Sequence, residues 1–166
     1  MHRECYLLFE NLASRLLGYE KILEVGSYDE NGSIRPLFEG HDYIGCDMSA
    51  GKCVDVVQEN PHILPFDSES FDIVLSASCL EHCRRPWELI LEMDRVLKGG
   101  GLLVLTVPWK IGYHPFPLDY WRISPDGFDE LLGPWMKEHN RSPYIILQNR
   151  LDIIDTYVEA LKMDKQ

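Results

Sequence analysis

Short apolar segments that alternate with helical patterns constrain the fold of this chain more than any other feature. Five segments, residues 21–26, 43–47, 53–57, 71–76 and 102–107, have the length and apolar character of buried strands. Helical patterns occupy residues 4–17, 86–97 and 126–132. Strands that alternate with helices form βαβ units. We therefore expect an α/β fold with a doubly wound, mainly parallel sheet flanked by helices.

Turn and capping residues set the expected ends of these elements. Gly18 ends the first helix, and Pro86 occupies the first turn of the second helix. The glycines at 99–101 are expected to end that second helix through left-handed backbone conformations. Ser124 followed by Pro125 predicts the start of the third helix.

The end of the sequence has a weaker pattern than the rest. Residues 144–148 have the pattern of a strand, whereas residues 153–162 fit a strand or a helix. No repeat or low-complexity linker interrupts the chain. The sequence therefore predicts one domain over residues 1–166, with its core at residues 20–135.

Charge and hydropathy exclude several classes of partner. With 16 basic and 27 acidic residues, the net charge is −11, which opposes broad contact with a phosphate backbone. No segment approaches the ~20 apolar residues that span a bilayer, and the N-terminus has no signal-peptide pattern. Five cysteines without a disulfide spacing suit a reducing compartment. We expect a cytoplasmic protein that binds neither nucleic acid nor membranes.

A cysteine and histidine cluster raises the question of a metal site. Cys79 and Cys83 flank His82, and the two cysteines would share one face of a helix. Tetrahedral zinc sites usually need a second ligand pair at recognisable spacing, and the sequence has none. Ordinary reduced thiols are therefore expected here, and no metal.

Two strand ends predict a nucleoside site. Gly26 ends the first strand, and Asp47 ends the second strand twenty-one residues later. This is close to the ~20-residue offset of the acid that binds ribose hydroxyls in Rossmann-like folds. A dinucleotide also needs a GxGxxG cradle for its pyrophosphate, but this loop carries Asp29 and Glu30 instead. S-adenosylmethionine, a cation without phosphate, suits the acidic loop better.

Five stretches together give a more specific resemblance. They are ILEVGS (22–27), YIGCDMSAG (43–51), LPFDSESFDIVLSASCLEH (64–82), RVLKGGGLLVLTVPW (95–109) and HPFPLDYWRISPDGF (114–128). In this order they resemble the class I S-adenosylmethionine-dependent methyltransferases of the type 11 group, which are Rossmann-like. The first loop departs from the usual GxGxG of that family, and Gly32 is a candidate substitute.

The resemblance implies a role for each matching position. Residues at the methionine end of the cofactor would be Glu24, Gly26, Ser27, Ser76 and Ala77. Asp47 would bind both ribose hydroxyls, Met48 would contact the adenine, and Glu59 or Asn60 would lie near the adenine-contacting acid. The resemblance therefore implies methyl transfer from S-adenosylmethionine.

The methyl acceptor is predicted to lie beyond the fourth and fifth strands. His82 and Asp119 are the candidate catalytic residues, with His82 as general base if the acceptor is a hydroxyl. The segment 109–123 would form the acceptor-facing wall, with contacts from Trp109, His114, Tyr120 and Arg122. Alternatively, Asp119 and Arg122 only pair with each other and brace the segment.

Several functional alternatives remain at this point. The acceptor is expected to be a small molecule or a saccharide, bound in an open site or in one that a second subunit of a homodimer closes. A cofactor-binding pseudo-methyltransferase with a regulatory role is the main alternative, because the first glycine loop is atypical. A nicotinamide oxidoreductase is a weaker one, because the chain lacks a phosphate cradle.

Overall fold

The computed structural model describes residues 3–17, 20–115, 117–141, 143–151 and 154–164. The strands are β1 (Lys21–Val25), β2 (Asp42–Asp47), β3 (Val56–Val57), β4 (Phe71–Ala77), β5 (Leu97–Pro108), β6 (Tyr144–Leu151) and β7 (Asp155–Lys162). The α-helices are α1 (Arg3–Ala13), α2 (Pro86–Val96), α3 (Pro125–Leu132) and α4 (Pro134–Glu138). Short 3₁₀ helices cover Arg35–Phe38 and Leu80–His82.

All seven strands belong to one sheet in the order β3-β2-β1-β4-β5-β7-β6. The pairs from β3 to β5 are parallel, and β7 runs antiparallel to both β5 and β6. The chain reverses its direction of travel across the sheet between β1 and β4. This confirms the expected doubly wound, mainly parallel sheet, and it locates the switch point at which such sheets bind ligands.

Helices cover both faces of the sheet, as the expected layer architecture requires. Helix α1 packs on one face with the short 3₁₀ helix Arg35–Phe38, against alternate residues of the central strands. Helices α2, α3 and α4 cover the other face. Successive side chains of β1 and β4 therefore enter two apolar cores, one on each face of the sheet.

The expected ends of two helices differ from the structure. Helix α2 ends at Val96, and Leu97 already has extended backbone angles and pairs with Phe71 in β4. The glycines at 99–101 therefore lie inside β5, where the register with β4 shifts, and Gly100 has a φ of +72°. Helix α1 ends at Ala13, and the predicted terminator Gly18 lies outside the described residues.

The C-terminal segments are both strands, which resolves the alternative left open for residues 153–162, although Ile153 itself is not among the described residues. Strand β7 lies between β5 and β6, and seven of its eight residues are buried. The Lys162 ammonium donates to the carbonyl oxygens of Asp94 (2.5 Å) and Leu97 (2.7 Å). A buried strand lacks the alternation that distinguishes strand from helix, which explains the ambiguous pattern.

Within the described ranges, none of the helices is both long and apolar enough to cross a bilayer. All five cysteines are free thiols.

Candidate active site

A single large cleft lies at the carboxyl ends of the parallel strands, above the switch point between β1 and β4. Its volume is about 1810 Å³, which exceeds the ~300–1,000 Å³ of a typical small-molecule site. The loops that follow β1, β2 and β3 line one end, and the segments that follow β4 and β5 line the other. The cleft therefore has room for two ligands side by side.

Asp47 lies at the carboxyl end of β2, on the wall of the cleft. The backbone N–H of Tyr28 donates to its Oδ2 (3.1 Å), and that of Ser49 donates to its Oδ1 (3.0 Å). These two bonds fix the carboxylate, and each oxygen retains a lone pair that faces the cleft. A diol such as a ribose can be held by exactly such a carboxylate.

The loop after β1 approaches the segment after β4 very closely. Gly26 has a φ of +83°, and a Cβ there would lie 2.5 Å from Cys79 Cβ, so both conformation and space require glycine. Gly32, the candidate substitute in the atypical loop, has a φ of +111° with open space around it. Asp29 accepts from the N–H of Gly32 (2.7 Å) and thereby shapes this turn.

Glu24 lines the cleft from the end of β1, although only 4% of it is exposed. The Tyr43 hydroxyl donates to its Oε2 at 2.7 Å. Burial raises the pKa of the Glu24 carboxyl to about 7, against the opposing effect of that hydrogen bond. Ser27, also buried, has a hydroxyl without a hydrogen-bond partner among the described residues. Both groups would gain from a cationic or hydrogen-bonding ligand.

The residues predicted near an adenine differ in their placement. Met48 (48% exposed) and Asn60 line the cleft, whereas Glu59 is exposed outside it. Gln58, which the sequence pattern does not single out, is buried in the cleft wall and donates from Nε2 to the Asn60 carbonyl (2.6 Å). Its position directly after β3 is the signal that could have indicated it.

Ser76 and Ala77, which were predicted beneath the methionine end, also differ in their placement. Ala77 lines the cleft. Ser76 is fully buried below it, and its hydroxyl donates to the Val25 carbonyl (3.0 Å). Ser78 takes its place at the surface of the cleft with a φ of +52°. Strand β4 thus ends at Ala77, one residue later than predicted, and its side chains line the cleft only from Ala77 onward.

The other end of the cleft holds Glu81, His82 and His114. Glu81 is 0% exposed, and His82 Nε2 and His114 Nε2 lie 3.7 Å and 3.9 Å from its Oε1. Burial raises the pKa of the Glu81 carboxyl to about 8, with a further contribution from Asp155 and an opposing one from Arg122. The sequence singles out both histidines but not the buried acid between them.

Residues 109–123 contribute part of the cleft wall and part of its support. Of this segment, Ile111, His114, Pro115, Pro117 and Tyr120 line the cleft. Trp109 does not line it, and its N–H donates to the Ile154 carbonyl (2.8 Å). Tyr120 is 43% exposed, and its backbone N–H donates to the Glu81 carbonyl (2.8 Å). The segment is therefore fastened to the Glu81 side of the cleft.

Asp119 and Arg122 lie behind the wall rather than in it. Arg122 Nη1 and Nη2 donate to the two carboxylate oxygens of Asp119 at 2.5 and 2.7 Å, and this pairing lowers the pKa of the Asp119 carboxyl. Asp119 Oδ2 also accepts from the His114 N–H (3.0 Å), and Arg122 donates to the carbonyls of Ile111 and Gly112. This geometry favours the bracing alternative over direct catalysis or acceptor contact.

The cleft fits S-adenosylmethionine better than a dinucleotide. Glu24, Glu30 and Asp47 give one end of the cleft an acidic lining, and the buried Ser27 hydroxyl there has no hydrogen-bond partner among the described residues. A sulfonium and an ammonium are favoured by this charge, and a pyrophosphate is repelled. The residues present therefore fit S-adenosylmethionine.

Comparison with known proteins agrees with this assignment. Residues 23–105, half of the 166-residue chain, match the family model described as a methyltransferase domain. An uncharacterized methyltransferase of Mycobacterium tuberculosis (strain ATCC 25618 / H37Rv) is 56% identical over 49 residues, which cover 30% of this chain and 19% of that protein. One from Mycobacterium marinum (strain ATCC BAA-535 / M) is 46% identical over 63 residues, covering 38% of this chain and 25% of that protein. The matched region thus spans a quarter or less of these two curated relatives.

Solved structures resemble the fold over nearly the whole chain. The Burkholderia thailandensis 1,6-didemethyltoxoflavin-N1-methyltransferase, solved with its substrate and S-adenosylhomocysteine, has a TM-score of 0.70 at 15% identity, covering 98% of this chain and 78% of that one. A SAM-dependent methyltransferase from Aquifex aeolicus has a TM-score of 0.66 at 15% identity, covering 93% and 89%. With the sheet order, the cleft and the family match together, this chain belongs to the class I S-adenosylmethionine-dependent methyltransferases.

Proposed function

We propose that the protein transfers a methyl group from S-adenosylmethionine to a hydroxyl of a small molecule or saccharide. The observation that carries this proposal is the two-ended cleft, with the ribose-type acid Asp47 at one end and a buried acid between two histidines at the other. A pseudo-methyltransferase would need only the first end. The second end is built from groups that move protons.

At the cofactor end, the chain's own residues bind and orient. Bound there, S-adenosylmethionine supplies a methyl group on a positively charged sulfur. Asp47 accepts hydrogen bonds from the two ribose hydroxyls, and Met48 covers one face of the base. Glu24 attracts the ammonium of the methionine end when its carboxyl is ionised. Alignment of this kind is worth up to ~7–11 kcal/mol of the barrier in favourable cases.

At the acceptor end, His82 has a fixed tautomer. Its Nδ1 lies 2.5 Å from the Leu118 carbonyl, and a carbonyl only accepts, so Nδ1 carries the proton. Nε2 is then free to accept a proton from the acceptor hydroxyl. A hydroxyl benefits from such a base, typically by ~100–10,000-fold. The presence of this base favours a hydroxyl over an acceptor that needs none.

The volume of the cleft and the substrate of a structurally similar enzyme support a small acceptor. The structurally similar Burkholderia thailandensis enzyme is a 1,6-didemethyltoxoflavin-N1-methyltransferase, which supports the size of the acceptor but not its hydroxyl group. The volume left beside the cofactor would take a ligand of that size or a saccharide unit. A second copy of the chain would complete the wall if the acceptor has to be enclosed.

Calorimetric titration tests the cofactor assignment. S-adenosylhomocysteine should bind at least as tightly as S-adenosylmethionine, and NAD should give no measurable heat. Asp47→Ala removes two charge-assisted hydrogen bonds, each worth ~1.5–3 kcal/mol, and should weaken S-adenosylhomocysteine by more than a factor of ten. Glu59→Ala, an exposed acid outside the cleft, is the matched control and should bind normally. Unchanged affinity in Asp47→Ala, or binding of NAD, would contradict the assignment.

The acceptor class needs a separate measurement. Formation of S-adenosylhomocysteine is followed with panels of hydroxylated, amine and carbon acceptors, including mono- and disaccharides. Turnover with hydroxylated compounds alone is expected, with Asp47→Ala as the blank. Turnover confined to amines would overturn the hydroxyl assignment and leave the methyltransferase assignment intact.

A further inference from the structure

The buried Glu81 carboxyl lacks partners that would compensate the charge of its ionised form. It is 0% exposed, and neither of its oxygens has a hydrogen-bond partner among the described residues. The nearby acids Asp155 and Asp119 add negative charge to its surroundings. An isolated buried carboxylate is costly unless a cation or donors compensate it. Since the carboxylate borders the cleft, the compensating group can come from a ligand.

Two imidazole nitrogens converge on this carboxylate without bonding to it. His82 Nε2 and His114 Nε2 lie 3.7 Å and 3.9 Å from Glu81 Oε1, which is too far for hydrogen bonds. One potential ligand atom from each of the three residues lies within 4.8 Å of the others. Ligands that share one ion at about 2.0–2.2 Å lie roughly 3–4 Å from each other. The observed separations are close to that spacing.

The protonation of both histidines leaves their lone pairs on the same side as the carboxylate. His82 Nδ1 faces the Leu118 carbonyl at 2.5 Å. His114 Nδ1 faces the Gly112 carbonyl at 3.0 Å and Asp119 Oδ2 at 3.2 Å. Arg122 Nη2 is farther from His114 Nδ1, at 3.3 Å, and has oxygen acceptors of its own. Nδ1–H donation to an oxygen is the usual support of a metal-binding histidine, and it frees Nε2 for the ion.

We propose that Glu81, His82 and His114 bind a divalent transition-metal ion of the Zn²⁺ class at the acceptor end of the cleft. Two imidazoles and a carboxylate suit Zn²⁺ better than Mg²⁺. Three protein ligands leave a coordination position open, as catalytic zinc sites do. The sequence predicted no metal here, because these ligands come from two separate segments and form no recognisable ligand spacing. The Cys83 thiol lies 3.8 Å from His62 Nδ1 instead.

The role of the ion, unlike its binding, rests on the proposed function. The open position would hold the acceptor oxygen beside the donor methyl group and favour loss of its proton to solvent. The oxygen then forms the bond to the methyl carbon as the carbon–sulfur bond breaks, and the sulfur keeps the electron pair. With the ion present, His82 is a ligand and proton transfer to its Nε2 is not required.

Titration of the chelator-treated full chain with Zn²⁺ alone tests the site. We expect one Zn²⁺ per chain, a rise in the unfolding temperature, and ligand-field absorption bands when Co²⁺ is used instead. Glu81→Gln, His82→Asn and His114→Asn should each weaken Zn²⁺ at least tenfold. His139→Asn, which replaces the exposed histidine at the C-cap of α4, is the matched control and should bind as the wild type does. Circular dichroism checks that each variant folds. If a histidine variant does not fold, the Zn²⁺ affinity of Glu81→Gln, which preserves the shape of the side chain, tests the site.

Three outcomes would overturn the proposal. These are the absence of stoichiometric Zn²⁺ binding, full binding by folded Glu81→Gln, and binding that is lost only when His62 and Cys83 are replaced. S-adenosylhomocysteine is titrated into the same metal-free samples. Loss of nucleoside binding would refute the methyltransferase assignment, whereas loss of Zn²⁺ binding alone would refute only this site.

Discussion

At the scale of single residues, Glu24 at the cofactor end of the cleft is buried where ionisation of its carboxyl costs free energy. The carboxyl is buried, and its pKa rises from the ordinary 4.5 to about 7. Between these two values the folded protein holds a proton that the unfolded chain releases. The contribution of Glu24 to stability is therefore complete below about pH 4.5 and is lost as the pH rises to about 7.

Replacement of Glu24 should remove this pH dependence. For the ligand-free protein, the free energy of unfolding should fall between pH 5 and 7, with a slope from Glu24 of at most about 1.4 kcal/mol per pH unit. In Glu24→Gln the slope should be smaller by that amount. Urea unfolding at half-unit pH steps measures it, with Glu59→Gln as the exposed control. Equal slopes in wild type and Glu24→Gln would show that Glu24 titrates normally.

The sequence predicted single residues best where a strand end fixed them. Asp47 and Gly26 could be found because Asp47 ends β2 and Gly26 directly follows β1, and the offset between them has a known chemical meaning. Glu81 could not be found, because nothing local distinguishes a buried acid from an exposed one. Ser76 lies below the cleft rather than in its wall, since a shift of one residue within a strand turns the side chain to the other face. Glu59 lies in the loop after β3, where no strand periodicity fixes which side chains line the cleft.

At the scale of elements, the segment after β5 depends on one ion pair. Asp119 is 2% exposed at its side chain, Arg122 is 25% exposed, and both carboxylate oxygens are bonded to the guanidinium. Removal of one partner leaves the other without compensation, whereas removal of both does not. The pair holds His114 through its N–H and through Nδ1, so its influence on the cleft is indirect.

A double-mutant cycle measures that pair. The double variant Asp119→Ala/Arg122→Met should destabilise the protein by less than the sum of the two single variants. The difference, which is the coupling free energy, should be ~1–3 kcal/mol. The exposed Arg85–Glu88 pair at the N-terminus of α2, also at spacing i,i+3, is the matched control and should couple by ~0.5 kcal/mol or less.

The same variants separate bracing from acceptor binding. The double variant should retain S-adenosylhomocysteine affinity and part of its turnover, while KM for the acceptor rises as His114 loses its support. Complete loss of turnover with normal folding would instead indicate that Asp119 or Arg122 contacts the acceptor.

Elements were predicted well where their pattern is local. Strands β1, β2, β4 and β5 and the Ser124 cap of α3 follow from short-range apolar runs and capping chemistry, and Ser124 Oγ does accept from the Gly127 N–H (3.1 Å). The end of α2 was wrong because Leu97 pairs with a distant strand, which overrides the local preference of three glycines.

At the scale of the whole molecule, β7 holds the C-terminal third of the sheet together. It pairs with β5 along one edge and with β6 along the other, so β6 reaches the sheet only through β7. A chain that stops after Leu151 would leave β5 as an apolar edge and β6 without a partner. This truncated chain should lose its cooperative thermal transition and aggregate, as circular dichroism and light scattering would measure. A chain that stops after Asp164 keeps β7 and should unfold cooperatively.

The inner position of β7 also affects the order of events during synthesis. The ribosome releases β1 to β5 well before residues 155–162, yet the sheet is complete only when that last strand is inserted beside β5. Until then, the open flank of β5 is exposed to neighbouring chains. In the nascent chain, β5 therefore has an unpaired flank from its own release until β7 leaves the exit tunnel and pairs with it.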